Sequence, residues 1–418
     1  MNLHNRFTGR EMILIVIRTE QHYIKPSSLF FNIIDNMCFC SKNIYNLANY
    51  YIRQEYIKNQ KIIARFDMQM IMKTQECYRE LGSNTGQVTI QMLDRSWKSF
   101  FASLNDYTKN PSKYYAKPKL PKYLDKNGRY IVGLTNNKFK IVNGYIYFSW
   151  KKLYCMNNYF KTNIPNTAKL MQIRFAPKGV GYYMEVCYQI DIPKPNDVVE
   201  RVASIDLGVS NFITMVNNIG KKPIAIKGGA LKSINQYYNK KKSQLQSVLM
   251  TTNKAHWSKQ LQVLTDKRYR KIKYFMHCAS RYVVDWCKEN NIDTLIVGRN
   301  KNWKQKAKGM QNFTYIPFEL FEMMIQYKCE DSGIKCILLN ESYTSGTSFL
   351  DNEKPCKEKY NKDRRVFRGL FISNNGIKIN ADVNGAYQIM RKAIPNAFAE
   401  GIEGVYLHPL VIQMNNRK

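Results

Sequence analysis

What this chain lacks narrows it first. Acidic residues are scarce: 31 Asp and Glu stand against 65 Lys and Arg in 418 residues, a formal net charge of +34. Long apolar runs are missing. The longest early one, Ile13–Ile17, falls far short of the roughly 20 residues that cross a bilayer. It also lacks the length of a signal-peptide core and a small-residue cleavage site. An intracellular soluble protein is expected, with no membrane partner. Pro (13) and Gly (21) are too few for a collagen-like or low-complexity chain. With 44% apolar and 13% aromatic residues, a wholly disordered polycation is excluded. The length suits about two or three domains. Among ten cysteines there is no C-x-x-C pair, which argues against a structural zinc site. Several, such as Cys187 between Val186 and Tyr188, lie in apolar stretches and read as buried thiols in a reducing compartment.

The charge is what the chain has in excess. Self-repulsion of this size disfavours a compact state unless a polyanion neutralises it. From Lys221 to Met310 there are 21 Lys and Arg against 4 Asp and Glu, interleaved with Tyr237, Tyr238, Trp257, Tyr269 and Trp303. Cations release counterions from phosphates while aromatics stack on unpaired bases, so nucleic acid is the expected partner.

Periodicity divides the chain in two. A strand at Met12–Arg18 is followed by helical spacing from Ser28 to Leu104, with Met92, Leu93, Trp97, Phe100, Phe101 and Leu104 on one stripe. Gly82–Gly86 separates two helices, and residues 107–126 form a basic, Pro-punctuated loop that suits either a phosphate contact or a linker. Short alternating runs between Tyr130 and Ile190 predict antiparallel strands. From Val199 the pattern turns α/β: strands at Val202–Leu207, Phe212–Val216, Thr294–Val297 and Lys335–Leu339, and helices at Leu231–Gln262, Tyr269–Asn290, Phe318–Ser332 and Asp382–Ala393.

Three carboxylates fall at places where such a fold builds sites. Alternation puts Val202, Ser204 and Asp206 on one face of a strand that runs into Gly208 and a tight turn. Glu341 directly follows a strand, at the carboxyl edge of the sheet. Asp382 stands in the first turn of the last helix, where it serves equally as a cap or dipole partner. Together they can hold divalent ions that clamp a phosphodiester during in-line displacement. Magnesium suits, because it takes few carboxylates and keeps positions for phosphate and water.

The runs ASIDLGVSNF, INQYYNKKKSQLQS, KIKYFMHCASRYVVDWC, IVGRNKNWKQ, ESYTSGTSFLD and INADVNGAYQIMRKA, in that order, closely resemble the TnpB family of insertion-sequence proteins, related to the compact type V CRISPR effectors. TGQVTIQMLDRSWKSFF and RFAPKGVGYYMEVCYQI extend the resemblance into the N-terminal half. The resemblance implies a multidomain α/β plus β-barrel protein: a wedge barrel over residues 1–27 and 107–195, a helical recognition domain inserted at 28–106, and an RNase H-like RuvC nuclease domain at 199–418. It implies an RNA-guided, divalent-metal-dependent DNA endonuclease. A guide RNA from the element's end would direct it to double-stranded target DNA beside a short adjacent motif, with two magnesium ions (or manganese) doing the hydrolysis. Base pairing would then read the sequence, while the protein reads shape and the adjacent motif.

On that resemblance Asp206 matches the first nuclease carboxylate and Asp382 the third. The second departs from the pattern: Gly298 stands where much of the family has Glu, and Glu341 is expected to replace it, ahead of Glu319, Asp351 and Glu353. The family's paired zinc cysteines are also missing, since Ser345–Asn380 holds only Cys356. Residues 345–380 are therefore expected to form a zinc-less nucleic-acid-binding insert, through Arg364, Arg365 and Arg368 among others. Lys240, Lys241 and Lys242 on a basic helix, and Trp303, Lys304 and Gln305 beyond Gly298, are further expected contacts. His277 reads as packing or a phosphate contact, because two-metal cleavage needs no His. The competing functions are a nuclease-dead, guide-directed repressor and a transposition accessory DNA-binding protein without guide RNA.

Overall fold

The computed structural model describes residues 13–195, 199–299, 316–367, 369–399, 401 and 405–414. The chain divides into two compact units, one spanning Ile15–Asp191 and the other built on residues from Ile192 onward. No helix among the described residues is long and apolar enough to cross a membrane.

The first unit comprises β1 (Ile13–Ile24), α1 (Phe31–Asn59), α2 (Arg65–Met72), α3 (Glu76–Leu81), α4 (Ser83–Lys109), β2 (Val132–Thr135), β3 (Phe139–Val142), β4 (Tyr145–Phe148), β5 (Lys169–Lys178) and β6 (Gly181–Pro193). In α1, Ile34, Met37, Cys38, Ser41, Ile44, Tyr45, Ala48 and Ile52 are buried, the i, i+3, i+4 spacing of one helical face. The Ile90, Leu93 and Trp97 stripe of α4 packs with it, and the Trp97 indole donates to Asn49 Oδ1 at 3.0 Å. The expected barrel is, among the described residues, an open four-stranded sheet in the order β1-β6-β5-β2, beside a separate β3–β4 ribbon. Helices α1 and α4 pack against its strands β2 and β5. The apolar face is thus buried without the sheet curling shut.

The second unit comprises β7 (Val202–Leu207), β8 (Asn211–Asn217), β9 (Ile224–Lys227), α5 (Gly229–Asn253), α6 (Lys259–Glu289), β10 (Thr294–Arg299), α7 (Phe318–Glu330), β11 (Lys335–Asn340), β12 (Leu370–Ile372), β13 (Lys378–Asn380), α8 (Ala381–Ala393) and β14 (Leu410–Ile412). Six strands form one sheet, ordered β11-β10-β7-β8-β9-β14. β7, β8 and β9 are antiparallel neighbours, whereas β7, β10 and β11 run parallel.

Both sheet faces are covered, as near-continuous apolar strands require. Ala203, Ile205, Leu207, Leu295 and Val297 face a core shared with Ile272, Phe275, Val283, Phe321 and Ile325 of α6 and α7. Val202 and Ile296 face the opposite way, onto Ala386, Tyr387, Ile389 and Met390 of α8. The long basic helix expected through Gln262 ends earlier. Lys254 closes α5 in the left-handed region (φ 48°), and the Ser258 hydroxyl caps α6 by accepting from Leu261 N.

Candidate active site

Asp206 lies one residue from the end of β7, on the α8 face with Val202 and Ser204. The Ser204 hydroxyl donates to Ala386 O at 2.7 Å and ties strand to helix. One residue before that carbonyl is Gly385. A Cβ there would stand 2.9 Å from Asp206 Oδ2, so glycine leaves the carboxylate room beside α8.

Glu341 immediately follows β11, where Gly298 pairs with Leu339 and Arg299 with Asn340. Leu339 and Glu341 are two residues apart and so point to the same side as a side chain at 298 would. The geometry is tight. A Cβ at Gly298 would lie 2.5 Å from Ile389 Cδ1, 3.1 Å from Glu341 Oε2 and 3.2 Å from Ile205 O. A Glu341 carboxylate oxygen therefore lodges where a side chain on β10 would start. The absence of a side chain at 298 leaves room for the Glu341 carboxylate.

Asp382 opens α8, behind an Asn380 cap whose Oδ1 accepts from the amides of Asp382 and Val383, both at 3.1 Å. Its Oδ2 accepts from Asn211 Nδ2 at 2.8 Å, and Asn211 Oδ1 in turn accepts from Lys227 Nζ at 2.9 Å. Its Oδ1 meets the Arg365 guanidinium at 3.2 Å. Glu341 and Asp382 both act electrostatically on Asp206. Burial pushes the Asp206 carboxyl well above the usual range, and the negative charges of Glu341 and Asp382 push it further. Arg365 and the Leu207 amide pull the other way. Lys392 also faces Glu341: burial lowers its pKa, the Glu341 charge opposes that, and its ammonium donates to Ser342 O at 2.9 Å.

Among the described residues no group of three His, Cys, Asp or Glu side chains is placed to hold a metal ion. The Asp382 carboxylate is turned to Asn211 and Arg365 instead. The donor set offers carboxylate oxygens only, with Glu341 and Asp382 raising the Asp206 pKa and a guanidinium supplying compensating charge.

The remaining expected residues fall differently. Arg364 is engaged within the protein, at 2.8 Å from Glu353 Oε1 and 3.7 Å from Asp351 Oδ2. These pairs tie Arg364 to the acidic side chains of the insert. The same ion pairs account for Asp351 and Glu353 as structural carboxylates, and Glu319 sits in the first turn of α7. Lys240 and Lys241 are exposed on α5 and Lys242 is half-buried. Trp303, Lys304, Gln305 and Arg368 lie outside the described residues. His277 is held neutral, its pKa pushed down to about 4 by burial and by the nearby charges of Lys328, Lys273 and Arg281. Sequence reasoning missed Asn211, Gly385 and the pairing of Arg365 with Asp382; Asn211 and Gly385 stand inside the runs quoted above and signalled themselves only by that.

The second unit is a mixed α/β fold in which Glu341 and Asp382 act on Asp206 near the carboxyl edge of the central sheet. Residues 185–304 match the family model described as a probable transposase of the OrfB, IS605 type, and residues 318–389 match the Cas12f1-like TNB domain. The chain is 25% identical over 389 residues to the TnpB-like protein ORF457 of Acidianus two-tailed virus, covering 85% of this chain and 82% of that one. It is 24% identical over 233 residues to two CRISPR-associated endodeoxyribonucleases, Cas12f2 of a Micrarchaeota archaeon and Cas12f1 of Sulfoacidibacillus thermotolerans. Those alignments span 51% and 53% of this chain, and 41% and 53% of theirs. In fold it is similar to the protein in a Cas12f1–sgRNA–target DNA complex, with a TM-score of 0.52 at 15% identity over 86% of this chain and 82% of that one. The resemblance to TnpB and the compact Cas12f proteins read from the sequence therefore holds.

Proposed function

We propose that this chain is an RNA-guided, divalent-metal-dependent DNA endonuclease, cutting at Asp206, Glu341 and Asp382 in an RNase H-like RuvC domain. One observation carries the reading: Glu341 Oε2 lies 3.1 Å from where a Cβ on Gly298 would be, which supports Glu341, directly after β11, as the second carboxylate. The strand order β9-β8-β7-β10-β11, three antiparallel and then two parallel, supports an RNase H-like core. The +34 charge supports a particle holding guide RNA and double-stranded DNA.

When bound, magnesium or manganese supplies Lewis-acid stabilisation of the attacking and leaving oxygens. The chain's own residues do the rest. Asp206, Glu341 and Asp382 would hold the ions. Asn211, itself fixed by Lys227, orients the Asp382 carboxylate. Arg365 neutralises Asp382 and so competes with a divalent ion for the same oxygen; phosphate of a bound strand offers Arg365 an alternative partner.

The test is reconstitution of the full chain with RNA from the element's end, Mg²⁺ and matched target DNA. Cleavage that Asp206→Ala abolishes while binding persists is expected. Intact target with wild-type protein overturns the proposal. Binding without cleavage in both proteins identifies a guide-directed repressor instead.

A further inference from the structure

Helices α5 and α6 cover the sheet face opposite α8, and between them lies a cavity of about 320 Å³ that the carboxylate site does not use. Its lining is Ser233, Ile234, Tyr237 and Tyr238 from α5 and Leu264, Lys267, Arg268 and Lys271 from α6. The chemistry is mixed in a particular way. Ile234 and Leu264 give apolar wall, two tyrosines give flat aromatic surface, and three cations stand at the rim with no carboxylate in the lining. The nearest acid in sequence, Asp266, accepts from Gln262 Nε2 at 2.8 Å, one turn back along α6.

Part of this surface is fixed in advance. The Tyr238 hydroxyl bonds Thr265 Oγ1 at 3.2 Å, and the Arg268 guanidinium lies 5.0 Å over the Tyr238 ring. Arg268 Nε donates to Asn235 Oδ1 at 2.8 Å, and Asn235 is buried. A planar cation stacked on an aromatic ring and pinned from behind is a preorganised platform. Tyr237, by contrast, is 56% exposed at the mouth. An apolar, aromatic cavity rimmed only by positive charge selects a ligand that is flat and anionic at once.

We propose that this α5–α6 cavity seats one unpaired nucleotide of a single-stranded nucleic acid, its base against Tyr237 and the Arg268–Tyr238 platform and its phosphates on Lys267 and Lys271. The volume sits at the small end of ligand pockets, which suits one base rather than a larger group. The proposal goes beyond the nuclease reading and does not rest on it, because none of these residues belongs to the carboxylate cluster.

The test uses the full chain in EDTA, so that cutting plays no part, with trinucleotides carrying a central 2-aminopurine in ribose and deoxyribose forms. Saturable quenching of the fluorophore is expected. Tyr237→Ala should weaken binding about tenfold, the scale of one lost base stack. The Lys267→Gln, Lys271→Gln double variant should flatten the salt dependence by about 1.4 logarithmic units per decade of salt. Lys140→Gln with Lys169→Gln, exposed on β3 and β5, should leave the quenching intact. The form bound more tightly assigns the strand, RNA or DNA. Unchanged affinity and quenching in Tyr237→Ala, with its melting curve unaltered, overturns the proposal. So does equal loss of quenching in the Lys140, Lys169 control.

Discussion

Replacing Gly298 by alanine puts a methyl group into the tightest space at the site. Its Cβ would stand 2.5 Å from Ile389 Cδ1 and 3.2 Å from Ile205 O. Carbon–carbon contact is comfortable from about 3.5 Å, so the Ile389 methyl must retreat by about 1 Å. Overpacking of this kind costs about 1–3 kcal/mol, against which alanine recovers roughly 0.5–1 kcal/mol of glycine's entropic penalty in a strand. A net loss of about 1–2 kcal/mol follows, which lowers Tm by about 2–8 °C in a unit of this size. Ile389→Val deletes the very methyl that clashes. The double variant should therefore be more stable than the sum of the two single effects predicts, a coupling of about 0.5–3 kcal/mol. Glu341 Oε2, 3.1 Å from the new Cβ, must also shift, so Gly298→Ala should bind Mn²⁺ more weakly even with Ile389→Val beside it. Scanning fluorimetry, denaturant melts and Mn²⁺ titration read these effects. Wild-type stability and metal affinity in Gly298→Ala would refute the reasoning.

Two further predictions follow from charges around the site. Arg365→Ala removes a partly exposed ion pair, so the metal-free melting temperature should change little, by no more than about 1 kcal/mol of stability. Mn²⁺ affinity, read by calorimetry, should rise because a competing cation has gone; weaker binding would contradict the competition. His277 has its folded pKa lowered to about 4 from an ordinary 6.5. Its neutral form is the one the fold accommodates, so the stability it contributes is present above about pH 6.5 and is lost as pH falls toward 4. His277→Gln should flatten that part of the stability–pH curve, measured by denaturant melts; an unchanged curve would sink the assignment.

The sequence carried much of the second unit because its signals are local. Parity along Val202, Ser204 and Asp206 named the face that meets α8, and Glu341 stood where a strand must end. What it did not carry depends on long-range pairing. β14 has three residues and is held by parallel pairing with β9, nearly 190 positions away, so no short-range pattern announces it. The α5–α6 break rests on one left-handed residue, Lys254, in a stretch whose composition stays helical. Arg364 and Arg365 show the limit most plainly. The two are neighbours with the same side chain, yet one holds Glu353 and the other faces Asp382. Only the packing of the insert decides which.

The central claim is that Asp206, Glu341 and Asp382 together hold divalent metal. Mn²⁺ binding, followed by electron paramagnetic resonance, tests it on wild-type protein and on Asp206→Asn, Glu341→Gln, Asp382→Asn and Glu319→Gln. The first three variants should each lose at least about tenfold in affinity, on the scale seen when a metal site's support is removed, while Glu319→Gln matches wild type. Glu341→Gln binding Mn²⁺ as tightly as the unaltered chain would contradict the account.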